Sequence, residues 1–368
     1  MSNYVVLKNG KMAFHPGYYI EEYLQETGLT QEDFAKRLGT TPKNISLLIR
    51  GSQSLSVDIA SKLSRMMGTS IKLWLNLQSE YDALIAEEEN DETIEEELMI
   101  LEKLDYNYFK NNFGLKDLPR KKKEQVIELR NFLNVASLEV FKNKDMFVRF
   151  RGNISEEQSN IIKANIMVQI ATNIALNKTE TPKYDKHKLN DVIEYALTIT
   201  DKPEEITSTL KEKLYDAGIN LVLLPHLSGS KINGATKLIN KHVMLMISDR
   251  NHCSDSFWFT LFHEIGHIVN GDFGLSFEDE KGIEEDKANK FAQDKLIPQD
   301  KYDIFVNRNN FTSYSVKSFA KSIERNTGIV VGRLEKEKYI SYGDPRFKGL
   351  KQQYTIDFIK WWMFNNKR

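Results

Sequence analysis

Residues 259–269 read FTLFHEIGHIV, an apolar stretch that contains two histidines four positions apart and a glutamate directly after the first. On an α-helix, positions i and i+4 lie on one face, so His263 and His267 can reach the same metal ion. Glu264 points about 100° away from His263 and can address a water on that ion without being a ligand. Polar groups on such an apolar helix are costly to bury unless something satisfies them. The stretch therefore predicts a metal-binding helix, and the alternative is a buried helix whose histidines only make core hydrogen bonds.

A third ligand has to come from elsewhere, because a catalytic zinc site takes three protein ligands and leaves one position open. The next helical segment, GIEEDKANKFA at 282–292, offers carboxylates. Glu285 shares a stripe with apolar residues of that segment, whereas Glu284 lies nearly as close to the stripe and Asp286 lies farther from it. Helical geometry thus prefers Glu285 only slightly. Gly266 weakens the first helix by roughly 1 kcal/mol relative to Ala, which makes sense if another backbone packs closely there.

Composition excludes several classes of protein. A chain of 368 residues exceeds one ordinary core, so two or three domains are expected. Hydrophobic residues make up 40% and charged residues 28%, and no apolar run reaches the roughly 20 residues of a membrane span, which predicts a soluble protein without a membrane partner. The start MSNYVVLKNG lacks the features of a secretory signal, so a cytoplasmic location is expected. Cys253 is the single cysteine, which excludes an internal disulfide and a cysteine-rich metal cluster.

Two short helices are predicted near the start of the chain, in TQEDFAKRLG (30–39) and TPKNISLLIRG (41–51). Thr30 and Thr41 can cap them, Pro42 suits a first helical position, and Gly39 can end the first helix. A further helix, HPGYYIEEYLQETG at 15–28, precedes them. Two helices joined by a four-residue turn that contains glycine form a helix-turn-helix pattern. The alternative is a bundle of three to five helices used only for protein contacts.

The second helix of a helix-turn-helix enters the major groove with its first residues toward the bases. Here Lys43 can donate to guanine and Asn44 can pair with adenine. The base-facing residues are Thr41, Lys43, Asn44 and Ser46, and the predicted phosphate contacts are Gln31, Lys36, Arg50 and Ser52. Residues 1–80 hold nine Lys or Arg against seven Asp or Glu, and the whole chain has a net charge of -1, so non-specific affinity for DNA should be weak. Two-fold symmetry is the usual way to reach two half-sites, which predicts a homodimer.

The remaining segments set the organisation of the chain. Residues 87–97, EEENDETIEEE, contain eight acidic residues and predict a solvated linker or an exposed helix face. Residues from about 98 to 215 have mainly helical patterns, and the cluster RKKK at 120–123 is interpreted as a solvated helix start rather than a nucleic-acid contact. INLVLLPHL, ATKLIN and HVMLMIS, between 219 and 248, predict the strands of a small sheet.

Two resemblances to known families follow from these motifs. HEIGH, then EDKANKFA from Glu285 and LIP, resembles the ImmA/IrrE group of zinc metallopeptidases, and the likeness extends over roughly 205–345. It implies a zincin-like domain in which His263, His267 and Glu285 bind Zn²⁺ and Glu264 is catalytic. Some members carry another histidine where this chain has VNGD at 269–272. Residues 14–82 resemble the HigA-type antitoxin repressors, although Pro42 stands where many relatives have a polar residue.

Together these features predict a mainly α protein with a small β-sheet (α+β). The expected domains are an all-α helix-turn-helix domain at 1–86, an acidic linker and helical middle at 87–204, the metallopeptidase domain at 205–345, and an aromatic helical tail at 346–368. The predicted function is a DNA-binding regulator, acting on an operator such as its own promoter, fused to a gluzincin-like zinc endopeptidase that cleaves a repressor or antitoxin. A toxin is a further expected partner, and the activity is expected to depend on a partner or on metal.

Hydrolysis would use Glu264 to accept a proton from water and pass it to the leaving amine. An electrophilic group for the oxyanion is also expected. The sequence leaves four candidates for this role, Tyr302, Tyr314, His242 and His252. The alternative function is a non-enzymatic antitoxin or repressor, in which the HEIGH domain holds a structural metal or binds a partner.

Overall fold

The computed structural model describes residues 5–8, 11–143, 158–177, 180–250, 252–277 and 282–354. The chain divides into two compact units, Met1–Leu98 and Met99–Arg368. The aromatic segment FIKWWMF at 358–364, for which a docked helix is predicted, lies outside the described residues. No helix of the described residues is both long and apolar enough to span a membrane.

The first unit opens with an antiparallel hairpin of β1 (Val5–Lys8) and β2 (Lys11–Phe14). This hairpin corrects the prediction that the N-terminal domain is all-α. The sequence carries the signal for it, since Asn-Gly at 9–10 separates two short runs and is the preferred dipeptide of two-residue hairpin turns. Five helices follow: α1 (Pro16–Thr27), α2 (Gln31–Leu38), α3 (Pro42–Ile49), α4 (Val57–Met67) and α5 (Ile71–Leu101).

The caps of α2 and α3 form as predicted. The Thr30 hydroxyl accepts a hydrogen bond from the backbone N–H of Asp33, and Gly39 ends α2 with φ of 66° in the left-handed region that glycine adopts without strain. Thr41 caps α3 in the same way. Three residues, 39–41, separate the two helices, one fewer than predicted. The apolar faces meet in a core built around Phe34, Ile45, Leu48 and Leu63, each fully buried.

The acidic run at 87–97 is not a linker but lies within α5, and the boundary between the compact units falls at residue 98 rather than 86. Glutamate is a good helix former, and Ile94 and Glu97 are buried, so the run has anchored positions as well as a solvated face. The helical middle belongs to the second unit, with no division at residue 204. Its helices are α6 (Tyr106–Phe113), α7 (Lys122–Leu133), α8 (Gln158–Leu176), α9 (Lys186–Thr198) and α10 (Lys211–Asp216).

A four-stranded sheet forms the centre of the second unit. It consists of β3 (Ile219–Leu224), β4 (Ile232–Ile239), β5 (His242–Ser248) and β6 (Gly274–Phe277) in the order β3-β5-β4-β6. β3 and β5 are parallel, whereas β4 is antiparallel to both of its neighbours. The three predicted strands are confirmed, and β6 was not predicted because four residues are too few to show a periodic pattern.

Helices α11 (Ser254–Asn270) and α12 (Ile283–Leu296) contain the predicted ligands, and α13 (Gln299–Asn307), α14 (Ser313–Ser322) and α15 (Thr327–Lys336) follow. The apolar face of α11 contributes the fully buried side chains of Trp258, Leu261, Phe262 and Ile265 to the core of this unit. The Trp258 indole donates to the Tyr354 hydroxyl at 2.7 Å, so the large ring is buried with its polar group satisfied. A mainly helical protein with a small sheet is thus confirmed.

Candidate metal centre and nucleic-acid interface

Helices α11 and α12 approach each other closely at Gly266. A Cβ atom on this residue would lie 3.1 Å from Cα of Ala288 and 3.2 Å from Cδ1 of Phe291. An alanine would therefore require Ala288 or Phe291 to shift by a few tenths of an ångström, and the predicted reason for a glycine inside this helix, a closely packed backbone, is confirmed. Glu285 lies one turn before Ala288 on α12, so the close approach brings its carboxylate to the histidines of α11.

The three predicted ligands converge. His263 Nε2 lies 3.1 Å from Glu285 Oε2, His267 Nε2 lies 3.3 Å from Glu285 Oε1, and the two Nε2 atoms are 3.0 Å apart. One ligand atom from each residue lies within 4.8 Å of the other two, and all three residues are buried. Glu284 and Asp286 are exposed on the outer face of α12. The packing of α12 against α11 therefore separates the buried Glu285 from its exposed neighbours, a choice for which helical geometry alone gave only a slight preference.

Two residues whose roles were not predicted lie against the imidazoles. Asn289 Oδ1 lies 3.0 Å from His263 Nδ1 in a hydrogen bond, whereas Asp272 Oδ1 lies 3.3 Å from His267 Nδ1 as a charged neighbour whose geometry is not that of a hydrogen bond. The Asn289 contact holds Nε2 of His263 toward the common centre, and the Asp272 carboxylate places negative charge beside the His267 ring. The sequence contained a signal for Asn289, since it follows Glu285 by four positions on the same helical face. Asp272 belongs to the VNGD segment and carries no such periodicity.

Glu264, which follows His263 directly in α11, has no such partners in the part of the chain that the structure describes. Its side chain is 0% exposed, and neither carboxylate oxygen has a hydrogen-bond partner among the described residues. The carboxylate packs on β4, where a Cβ atom on Gly234 would come within 2.5 Å of Glu264 Oε1. Gly234 therefore makes room for this side chain, which the sequence did not reveal. A buried carboxylate without a partner is costly, and such groups occur where a ligand or reaction needs them.

The electrostatics of the cluster suit a cation. Burial alone would raise the pKa of Glu285, but hydrogen bonds from His263 and His267 and their charges outweigh it and lower the pKa to about 2. The Glu285 carboxylate is therefore ionised near neutral pH, as a metal ligand must be. Two nitrogens and a carboxylate oxygen form the donor set typical of a three-ligand catalytic zinc site, and the orphaned Glu264 carboxylate next to them fits such a group.

The four candidates for oxyanion stabilisation differ in environment. Burial and then the neighbouring Glu337 raise the pKa of Tyr302, whose hydroxyl donates to Glu337 at 2.9 Å and is thus already engaged. Tyr314 is 83% exposed. His252 is exposed with Nδ1 3.4 Å from Asp249 Oδ2. His242 is half-buried at the start of β5, and burial lowers its pKa.

The predicted DNA-contacting residues are mostly exposed. Gln31, Lys36, Thr41, Lys43, Arg50 and Ser52 are exposed, whereas Asn44 and Ser46 are half-buried. Lys36 pairs with Glu32 at 2.9 Å, and the Arg50 guanidinium folds back to donate to the Ser46 hydroxyl at 3.0 Å. Lys43 makes no ion pair within the described residues and projects from the first turn of α3.

Asn44 differs from the expectation of an adenine contact. Its amide nitrogen donates to the Thr40 hydroxyl at 2.8 Å, and its amide oxygen accepts from Gln53 at 2.7 Å. A bidentate contact with adenine uses the same donor and acceptor, so it would have to replace both internal hydrogen bonds. Asn44 instead fastens the start of α3 to the turn before it and to the loop after it. The helix pair α2–α3, its short turn and the exposed first turn of α3 define a helix-turn-helix protein.

Comparisons with known proteins place this domain in a family. A helix-turn-helix family model matches residues 20–74. The chain is 37% identical over 83 residues to virulence-associated protein I of Dichelobacter nodosus, covering 22% of this chain and 77% of that protein. It is also 37% identical over 83 residues to the uncharacterized HTH-type transcriptional regulator YddM of Escherichia coli (strain K12), covering 22% of this chain and 88% of the regulator.

Among solved structures, one from Pseudomonas aeruginosa in complex with its operator DNA is 32% identical, covers 23% of this chain and 90% of that chain, and has a TM-score of 0.22. Through its N-terminal unit, the chain belongs to the helix-turn-helix family of transcriptional regulators. Its N-terminal domain is a DNA-binding domain.

Proposed function

We propose that this regulator is also a zinc-dependent endopeptidase, which hydrolyses a peptide bond in a regulatory protein of the repressor or antitoxin type. The observation that carries the proposal is the buried, unpartnered carboxylate of Glu264 beside the converging ligand atoms of His263, His267 and Glu285. A closed structural metal site has no use for a second carboxylate that is not a ligand, whereas hydrolysis needs a base in that position.

The residues of the site have separable roles. His263, His267 and Glu285 would hold the metal, Asn289 orients the His263 imidazole, and Asp272 places negative charge beside the His267 imidazole. When bound, Zn²⁺ supplies positive charge that polarises a peptide carbonyl and acidifies water. Glu264, kept in place against Gly234, accepts a proton from the attacking water and delivers it to the leaving amine nitrogen. The apolar surroundings of α11 exclude bulk water and strengthen these electrostatic interactions.

Hydrolysis is tested with the full chain and with Glu264→Gln, both loaded with zinc and incubated with candidate repressors encoded beside the gene. The variant keeps the side-chain size and all three ligands, so it should bind zinc normally and cleave nothing. Cleavage by the native chain alone supports the proposal. Equal results from the two proteins would favour the non-enzymatic regulator in which this domain only binds a partner or a structural metal.

The ligand set is tested separately by metal content. Glu285→Gln should lose zinc, because it removes one of three ligands, whereas the matched variant Glu284→Gln changes an exposed neighbour and should retain it. Retention of zinc by both variants would show that Glu285 is not a ligand.

The finer DNA-binding proposal is that Lys43 on α3 contacts a base edge of an operator, such as the protein's own promoter, and that a homodimer places two such helices on two half-sites. What supports it is the exposed, unpaired Lys43 side chain at the start of the second helix of the pair. A toxin bound to the same regulator is a further proposed partner, which rests on the likeness to antitoxin repressors.

Operator binding by Lys43→Ala should be weaker by about 1–3 kcal/mol and less selective at one base position. Lys103→Ala, an exposed lysine of the second unit, is the control and should bind normally. Unchanged selectivity of Lys43→Ala would show that this residue does not read a base. Sedimentation analysis with and without operator DNA tests the dimer.

A further inference from the structure

Away from the ligand cluster, two loops of the second unit meet at one edge of the sheet. β3 and β5 are parallel, so the segment after β3 (225–231, PHLSGSK) and the segment after β5 (249–252) emerge at the same edge. The backbone N–H of His226 donates to Asp249 Oδ1 at 2.6 Å, which ties the two segments together. The carboxyl ends of parallel strands are the usual place for ligands in sheets of this kind.

A lysine without a counter-charge lies against the first of these loops. Lys163 of α8 is half-buried, and a Cβ atom on Gly229 would lie 2.8 Å from its Nζ atom. Within the described residues Lys163 makes no ion pair and no hydrogen bond. An ammonium group that is partly withdrawn from water and faces no carboxylate is a site where an anion would be stabilising.

Other positive groups surround the same point. The pKa of His226 is lowered first by its burial and then by the positive charges of Arg250, His252 and Lys163. Asp249 is the carboxylate at this edge, and it already accepts the His226 N–H and lies 3.4 Å from His252 Nδ1. Lys163 and Arg250 are permanently cationic and act on His226 together, so an anion bound at this point would be stabilised by both charges.

The loop also offers neutral donors. A turn at 227–230 is closed by the Ser230 N–H donating to the Leu227 carbonyl at 3.0 Å, and Gly229 occupies it with φ of 79°, a left-handed conformation that favours glycine. The Ser230 side chain is 0% exposed, and its hydroxyl has no hydrogen-bond partner in the described part of the chain. The Nδ1 atom of His226 is likewise buried without a partner there. Buried polar groups are normally satisfied, so two orphans in one loop indicate a missing ligand.

We propose that this edge, formed by Lys163, His226, Ser230 and Arg250, binds the phosphate group of a small molecule. A phosphate suits it better than a carboxylate, because three terminal oxygens can accept from an ammonium, a hydroxyl and an imidazole at once, and its charge matches the surplus of cations. Gly229 and Ser228 are exposed, which leaves the loop open to solvent. Arg250 lies four residues before Ser254, the first residue of α11, so an occupied site would stiffen the approach to the HEIGH helix.

Isothermal titration calorimetry tests this proposal on the full chain, with a chelator present so that phosphate cannot bind at a metal. Inorganic phosphate and glycerol 3-phosphate are titrated separately against a potassium chloride control of equal ionic strength. We expect saturable one-to-one binding of at least one of them, with the monoester tighter if an organic phosphate is the ligand and inorganic phosphate tighter if the free ion is.

Lys163→Gln should weaken that binding by about tenfold or more, since hydrogen bonds to charged groups are the strong ones. Ser230→Ala should weaken it less. Lys237→Gln, at another half-buried lysine on β4, is the matched control and should bind like the native chain. Absence of saturable binding by the native chain, or equal affinity in Lys163→Gln and Lys237→Gln, would overturn the proposal. Neither readout depends on protease activity.

Discussion

Glu264→Gln should make the metal-free protein more stable. The native carboxylate is fully buried, has no hydrogen-bond partner among the described residues and is pressed against Gly234. An unsatisfied buried acceptor costs about 1–3 kcal/mol, and more when it is charged. Glutamine keeps the shape of the side chain and remains polar, but it has no charge to desolvate, so we expect the free energy of unfolding to rise by about 2 kcal/mol from removal of the charge alone. Residues placed for chemistry rather than for packing commonly lower stability in this way.

That free energy corresponds to a measurable temperature shift. For domains of 150–250 residues, 1 kcal/mol moves Tm by roughly 2–4 °C, so the unit Met99–Arg368 should melt about 4–8 °C higher in the variant. Differential scanning calorimetry of the full chain in a chelator measures this shift. Glu284→Gln, at an exposed position, should change Tm little. An unchanged or lower Tm for Glu264→Gln would refute the inference that the buried carboxylate is a strained, functional group.

Three further perturbations test other parts of the molecule. Asn289→Ala removes the hydrogen-bond partner of the His263 imidazole, and Asp272→Ala removes the carboxylate beside the His267 imidazole, while both leave the ligands in place. Zinc affinity should fall about 10–100-fold in a competition titration with a chelating dye, and unchanged affinity would argue against a supporting role for these residues. Phe34→Ala empties a fully buried position and should destabilise the N-terminal unit by about 3–5 kcal/mol in denaturant unfolding, with loss of operator binding and no loss of zinc. Burial lowers the pKa of His15 despite the nearby Asp82, so the unfolded chain binds a proton more readily than the folded chain does. The stability of the N-terminal unit should therefore fall as the pH drops through the ordinary histidine range. His15→Asn keeps a capping side chain but cannot titrate, so its melts at pH 8 and pH 5.5 should differ less than those of the native chain.

Local signals in the sequence predicted local structure well. The caps Thr30 and Thr41, the terminating Gly39 and the central strands of the sheet follow from propensities that act within a few residues. Of the two predictions for the acidic run, a solvated linker or an exposed helix face, the structure shows the helix face, in α5. Composition indicated that solvated face, whereas the burial of Ile94 and Glu97 depends on what packs against the helix. The dipeptide Asn-Gly at 9–10 is a local sequence signal for the hairpin β1–β2, although no hairpin was predicted there.

The candidate site was predictable only as far as helical periodicity reaches. His263, His267 and Glu264 follow from spacing, but the choice of Glu285 over Glu284 depends on the packing of two helices that no single-helix pattern contains. Gly234 lies on β4 and Asp272 follows α11, and no local pattern in the sequence relates either residue to the site. Only the folded structure shows that Gly234 lies against Glu264 and Asp272 against His267. Asn44 was predicted to contact DNA because its amide suits base recognition. In the structure, hydrogen bonds to Thr40 and Gln53 occupy that amide, and the sequence pattern of α3 did not indicate them.

The close approach of α11 and α12 at Gly266 also limits how this site can be transplanted. A designer who copied HEIGH and the later glutamate onto another pair of helices, but placed a large residue at the crossing point, would separate the backbones that hold the ligands. The smallest set of residues that could be transferred to another protein therefore includes both helices with Gly266 at their crossing point and Gly234, the β4 glycine that makes room for Glu264. In evolutionary terms, a bulky substitution at either glycine would distort the site while leaving its recognisable HExxH signature intact.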